Sequence, residues 1–379
     1  FDYDHRFDIG YFLNSKMKER KLECLRNSLE KFKNLAAVYA GPSLIEVFGE
    51  ELFAPEEKEE SYKLNKKQQD LYVDYYRKAS FINKDYINPE ETSFTIISYP
   101  VPDIGDKYEA IFQETVMINT LDSDLYQKIQ ENIIDALDKG IYVRIQGLDD
   151  NKTDIKVMLH PLSDPDKESN FENCVADVNI PVGEVFTTPL LKGTEGRLHI
   201  PRIHLNDLEY KDLELIFVDG KVTEYLCQNY KDEDQNKAYI KDNLLYNHDS
   251  LPIGEFAIGT NTRAYAMGKK YNIAHKLPIL IAEKTGPHFA LGDTCYKMSE
   301  DNKVFNPNGK EIVAKDNEIS ILRKSEPDKA YYNCHTDITL PYDEIKEIAV
   351  YHADGSKTPI VKGGRFVLEG TEILNEAFN

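Results

Sequence analysis

Apolar positions recur at intervals of three and four between residues 15 and 36, where Leu22, Leu25, Leu29 and Phe32 align and Lys, Arg and Glu fill the other faces. That spacing predicts an amphipathic helix laid on a core. A charged and polar connection is expected over residues 55 to 70, leading into a second helix over about 66 to 78. Thr92-Ser93-Phe94-Thr95-Ile96-Ile97-Ser98 is β-branched and aromatic and is stopped by Pro100 and Pro102, which predicts a buried strand. Between residues 121 and 138 the helical period returns, with Leu125, Ile129, Ile133 and Leu137 on one face and Gly140 as the terminating residue. Residues 141 to 145 and 154 to 159 then predict two strands joined through Asp149-Asp150-Asn151. Strand, helix, strand in this order predicts a small open α/β layer.

After Pro161 short strand-like runs are separated by turn dipeptides. Asp219-Gly220 lies between the runs 213 to 218 and 222 to 226, and Asp354-Gly355 between 348 to 351 and 365 to 368. Helices are expected over 234 to 246 and 261 to 271. The reading is therefore two domains, an N-terminal open α/β domain over residues 1–170 and a strand-rich α+β domain over 171–379, with the boundary in the polar segment 163 to 172. No internal repeat is evident.

A chain of 379 residues is long enough for two cores. Its 66 acidic and 46 basic side chains leave a formal net charge of -20, which repels phosphate backbones and anionic headgroups. Nucleic acid and membrane partners are not expected, and no apolar run approaches the roughly 20 residues of a spanning helix. Neither G-x-G-x-x-G nor G-x-x-x-x-G-K-[ST] occurs, so nucleotide binding has no support. Five scattered cysteines without a C-x-x-C pair argue for reduced thiols in a cytoplasmic setting. Cys295 and Cys334 flank candidate site residues and are read as small buried thiols rather than ligands.

Candidate chemistry collects between residues 251 and 337, with one member upstream. Glu184 and Glu255 each follow a glycine inside an apolar run, where a carboxylate is costly to bury without a compensating cation or hydrogen bonds. Glu283 and His288 stand on either side of Gly286-Pro287, a turn that can fold both toward one point. His335 and Asp337 are two apart, which on a strand places them on one face. Glutamate, histidine, tyrosine and aspartate are hard or borderline ligand types, suited to zinc, cobalt, manganese or magnesium.

Taken together, Gly183-Glu184-Val185-Phe186-Thr187-Thr188-Pro189, Gly254-Glu255-Phe256-Ala257-Ile258-Gly259-Thr260-Asn261, Glu283 with His288, His288-Phe289-Ala290-Leu291-Gly292, and His335 with Asp337 occur in one order. In that order they resemble the aminopeptidase T and aminopeptidase S family of dinuclear metallopeptidases, over about residues 92 to 370. The resemblance implies that Glu184, Glu255, Glu283, His288, His335 and Asp337 hold two divalent ions, zinc or cobalt first and manganese or magnesium next. It also implies that Tyr296 stabilises the oxyanion; the sequence does not decide which carboxylate moves the proton, and Glu255 is the one expected to. The expected activity is release of N-terminal residues from peptides with a free amino terminus by a metal-activated water, in a homodimer. A catalytically altered homologue that binds peptides or acts as a scaffold is the alternative. The family's H-x-A-x-G-x-x-Y spacing is exceeded by one residue here, because Asp293-Thr294-Cys295 precede Tyr296.

Overall fold

Asn14 opens the first helix by accepting the Met17 N–H, and the helix runs over Ser15–Lys31. It packs on a second helix, Lys66–Tyr86, with Leu22, Ala79 and Ile82 buried between them. Phe32, expected in the same stripe, falls beyond the helix end and is 52% exposed. The computed structural model describes residues 5–50, 60–176, 178–206, 208–297 and 299–378, so the polar connection expected over 55 to 70 lies outside them as far as residue 59. No helix of the described residues is long and apolar enough to cross a membrane.

The strand predicted from 92 to 98 forms over Thr95–Pro100 and is only partly buried. It is the middle of a parallel three-stranded sheet, between Ser43–Phe48 and Asn179–Ile180. The helix Ser123–Leu137, capped by Asp122, buries Tyr126, Ile129, Ile133, Ile134 and Leu137. Ile129, Ile133 and Leu137 are buried as expected, whereas Leu125 points outward at 38% exposure and Tyr126 takes its place at the start of the stripe. Each fully buried aliphatic side chain of such a stripe contributes about 1.5–3 kcal/mol.

Among the described residues the largest sheet has eight strands. In order they are Lys221–Leu226, Leu208–Val218, Leu190–Leu205, Asp154–Met158, Tyr142–Gly147, Ile345–Tyr351, Lys357–Lys362 and Arg365–Phe366. Asp219 and Gly220 both take positive φ, 46° and 66°, in the tight turn expected of them. The turn at Asp354-Gly355 leads into Lys357–Lys362, one strand earlier than expected. The mixed α/β architecture expected from the sequence is present. The boundary expected near residue 170, however, divides this sheet: Tyr142–Gly147 pairs with Ile345–Tyr351, and Asp154–Met158 with Leu190–Leu205.

A second, antiparallel sheet of five strands carries the candidate chemistry, in the order His335–Thr339, Pro287–Gly292, Ile253–Gly259, Glu184–Thr187 and Glu172–Cys174. Every position of two of its three inner strands, Ile253–Gly259 and Pro287–Gly292, is buried. One face presents Phe256, Ile258, Phe289, Leu291 and Ile338 to the main core.

Candidate metal centre

Register decides which side chains share the opposite face. Glu255 pairs with Ala290 and Ala290 with Asp337; Ala257 pairs with His288, Gly259 with Glu184, and Gly292 with His335. Since side chains alternate along each strand, Glu184, Glu255, His288, His335 and Asp337 all project from that one face. The positions between them on it are Ala257, Gly259, Ala290 and Gly292, whose small size leaves room above the sheet.

Two glycines beside Glu255 allow close approach by other segments. A Cβ at Gly259 would lie 2.5 Å from the Lys284 backbone, and one at Gly254 2.2 Å from the Asp293 carbonyl oxygen. Glu283 and Lys284 can therefore press on one side of the Glu255 strand and the 293 to 296 segment on another.

The side chains converge. His288 Nε2 lies 3.6 Å from Glu184 Oε2 and 3.6 Å from Glu255 Oε1, while His335 Nε2 lies 3.2 Å from Glu255 Oε2 and 3.4 Å from Asp337 Oδ1. Both imidazoles set Nδ1 against a backbone carbonyl, His288 on Gly286 at 3.3 Å and His335 on Asp293 at 2.7 Å. That contact orients each ring with Nε2 toward the carboxylates. Burial would raise the Glu255 carboxyl, but hydrogen bonds from His288 and His335 outweigh it and hold the group below the ordinary carboxylate range. Burial acts to lower His288, yet Glu255 and Glu184 push it up to about 10.

Glu283 is pushed up to about 7, first by burial and then by the neighbouring Glu184 and Asp337 against the pull of Lys284. It accepts from Lys284 Nζ, 2.6 Å from Oε1, and the same ammonium lies 3.1 Å from Glu184 Oε1. Lys284 is fully buried. Sequence reasoning did not single it out, since one lysine among 46 basic residues carries no signal of burial beyond the apolar run Ile279–Ala282 just before it.

Two sets of donor atoms lie within 4.8 Å of one another, Glu184 with Glu255 and His288, and Glu255 with Cys295 and His335. Glu184 Oε2 and Asp337 Oδ1 are buried without a hydrogen-bond partner. Buried carboxylate oxygens in that condition fit a cation, and the mix of carboxylate, imidazole and thiol fits a divalent one.

The residues around position 295 depart from expectation. The Tyr296 hydroxyl donates to Glu172 Oε2 at 2.7 Å and its ring lies 5.8 Å from that of Phe186. Cys295, expected to be buried, is exposed, and its Sγ is 2.7 Å from Glu255 Oε2. Desolvation of the sulphur among these groups, with Glu255 next, pushes the thiol up although the residue as a whole is exposed. Cys334 is buried, as expected, in the main core.

Comparison with known proteins bears on the family and the fold. Among solved structures the chain is similar to wild-type AmpT from Thermus thermophilus, with a TM-score of 0.54 at 15% identity, covering 95% of this chain and 84% of that one. That likeness is one of fold. A 2,5-dihydroxypyridine dioxygenase from Pseudomonas putida KT2440 is more distant, with a TM-score of 0.42 at 14% identity over 92% of this chain and 98% of the other. No curated protein matches. The profile described as thermophilic metalloprotease (M29) matches residues 76–366, well over half of the sequence, and every residue of the candidate centre lies inside it. The chain belongs to the thermophilic metalloprotease (M29) family.

Proposed function

We propose that this metalloprotease is an aminopeptidase holding two divalent ions through Glu184, Glu255, Glu283, His288, His335 and Asp337. The observation that carries the reading is the sharing of Glu255 by two donor groups, one with Glu184 and His288 and one with His335. A pair of divalent ions, when bound, supplies Lewis acidity and a nucleophilic water at neutral pH. Imidazole nitrogens among the carboxylates favour zinc or cobalt over magnesium. Glu255, engaged at both oxygens, acts as the shared ligand rather than as the base first expected of it. Tyr296, engaged by Glu172, acts as a positioning residue beside the sheet rather than as the oxyanion donor.

Metal analysis of the purified chain tests this, with two ions per chain expected and fewer in Glu255→Ala or His335→Ala. Loss of a ligand leaves too few donors to fix both ions. Peptides with a free amino terminus should be cleaved from that end and their acetylated forms left intact. Full metal content in both variants overturns the ligand set, and equal rates on free and acetylated peptides overturn the exopeptidase reading. Full metal content with no turnover on any peptide would instead favour a peptide-binding homologue, to which the engaged Tyr296 hydroxyl points.

A further inference from the structure

We propose that Cys295 supplies a thiolate to one ion seat, giving a Glu255, Cys295 and His335 donor set that selects zinc or cobalt against magnesium and manganese. The inference rests on the metal-centre reading above and adds a ligand that the sequence comparison did not assign. Its first support is geometric: Sγ, a Glu255 oxygen and a His335 nitrogen lie within 4.8 Å of one another, with Sγ 2.7 Å from Glu255 Oε2. The second is independent of the cysteine. Asp337 is 8% exposed, and its Oδ1, which has no hydrogen-bond partner, lies 3.4 Å from His335 Nε2 on the same side of the sheet.

The loop that presents the thiol is fixed rather than loose. Asp293 accepts the backbone N–H of Tyr332 at 2.7 Å and of Cys334 at 3.2 Å, pairs with Lys297 at 2.7 Å, and lends its carbonyl to His335. Two residues later, Cys295 faces the carboxylates. On binding, the S–H bond breaks and a sulphur–metal bond forms, and the proton leaves through the solvent-open side of Cys295. Thiolate is a soft donor that zinc and cobalt accept and that magnesium and manganese do not favour.

Cobalt(II) loading of the metal-free full chain provides the test, read by absorption and by metal content rather than by turnover. Wild type is expected to show a sulphur-to-cobalt charge-transfer band in the near ultraviolet together with visible cobalt bands. Cys295→Ser should lose the former, keep the latter, and bind zinc at that seat at least about 10-fold more weakly, the loss already seen for outer-shell partners of a ligand. Visible bands without the ultraviolet band in wild type, or an ultraviolet band surviving in Cys295→Ser, overturns the proposal. No cobalt retained by wild type overturns the metal-centre reading and this proposal with it. A second measurement needs no variant: at an alkaline pH where the metal-free chain is alkylated at Cys295 by iodoacetamide, zinc should suppress that labelling while leaving exposed Cys24 unchanged. Equal labelling of Cys295 with and without zinc overturns the thiolate ligand.

Discussion

Lys284 holds a position that few lysines occupy, a fully buried ammonium between two carboxylates at 2.6 and 3.1 Å. Burial acts to lower it, but Glu184 and Glu283 raise it well above the ordinary range, so it stays charged. Lys284→Met should destabilise the metal-free chain by about 3–5 kcal/mol, because two buried carboxylates lose their partner. Added zinc should recover part of that loss by neutralising the same oxygens. Thermal melts with and without zinc check this, and an equal loss in both conditions would mean that Lys284 only fills space. Residue chemistry was legible where composition made it anomalous. Glu184 and Glu255 stood out as carboxylates in apolar runs, and His335 with Asp337 by a spacing that a strand turns into proximity. Lys284 and Cys295 gave no such sign, because the burial of the one and the orientation of the other are set by the approach of distant segments to Gly259 and Gly254.

At the scale of elements, periodicity found helices better than it found their faces. Ser15–Lys31 and Ser123–Leu137 form as expected, but Phe32 and Leu125 are exposed, since a period of 3.6 leaves the edge of an apolar stripe undetermined by sequence. Ser43–Phe48, Tyr108–Asn119 and the long strand Leu190–Leu205 went unread. The first two helices are also held by charge. Asp74 pairs with Lys18 of the first helix and with Arg77 and Lys78 of its own. Burial raises its carboxyl, but the three cations outweigh this and lower it to about 2 from an ordinary 3.8. A depressed folded value means that the contribution is complete above 3.8 and is lost as pH falls toward about 2. Asp74→Asn should therefore be less stable than wild type near pH 6, with the gap narrowing as pH is lowered to about 3. Urea unfolding across that range measures the gap, and a gap independent of pH would remove the carboxylate from the account.

Across the whole molecule, strand pairing argues against two separable halves at residue 170. Tyr142–Gly147 and Asp154–Met158 lie between strands from the other side of that point, and their Val143, Ile145, Ile155 and Val157 belong to the same core as Phe256 and Phe289. A 171–379 fragment expressed alone should consequently fail to show a cooperative melt, and co-expression with 1–170 should restore it. A cooperative transition in the isolated fragment would show that the second domain folds by itself, as the change of sequence texture after Pro161 suggested. That texture marked a real change in local structure. It could not reveal pairings between strands about 200 residues apart, as between Tyr142–Gly147 and Ile345–Tyr351.

The burial of every position in Ile253–Gly259 and Pro287–Gly292 also bears on how this enzyme can diverge. One face of each strand is committed to the core, the other to donor atoms and to the small residues that make room for them. A substitution on either face perturbs folding or the donor set before it can retune selectivity. Innovation in what the enzyme accepts is thereby channelled into the poorly stranded stretch from 293 to 334, which joins the sheet at its ends and already supplies Cys295.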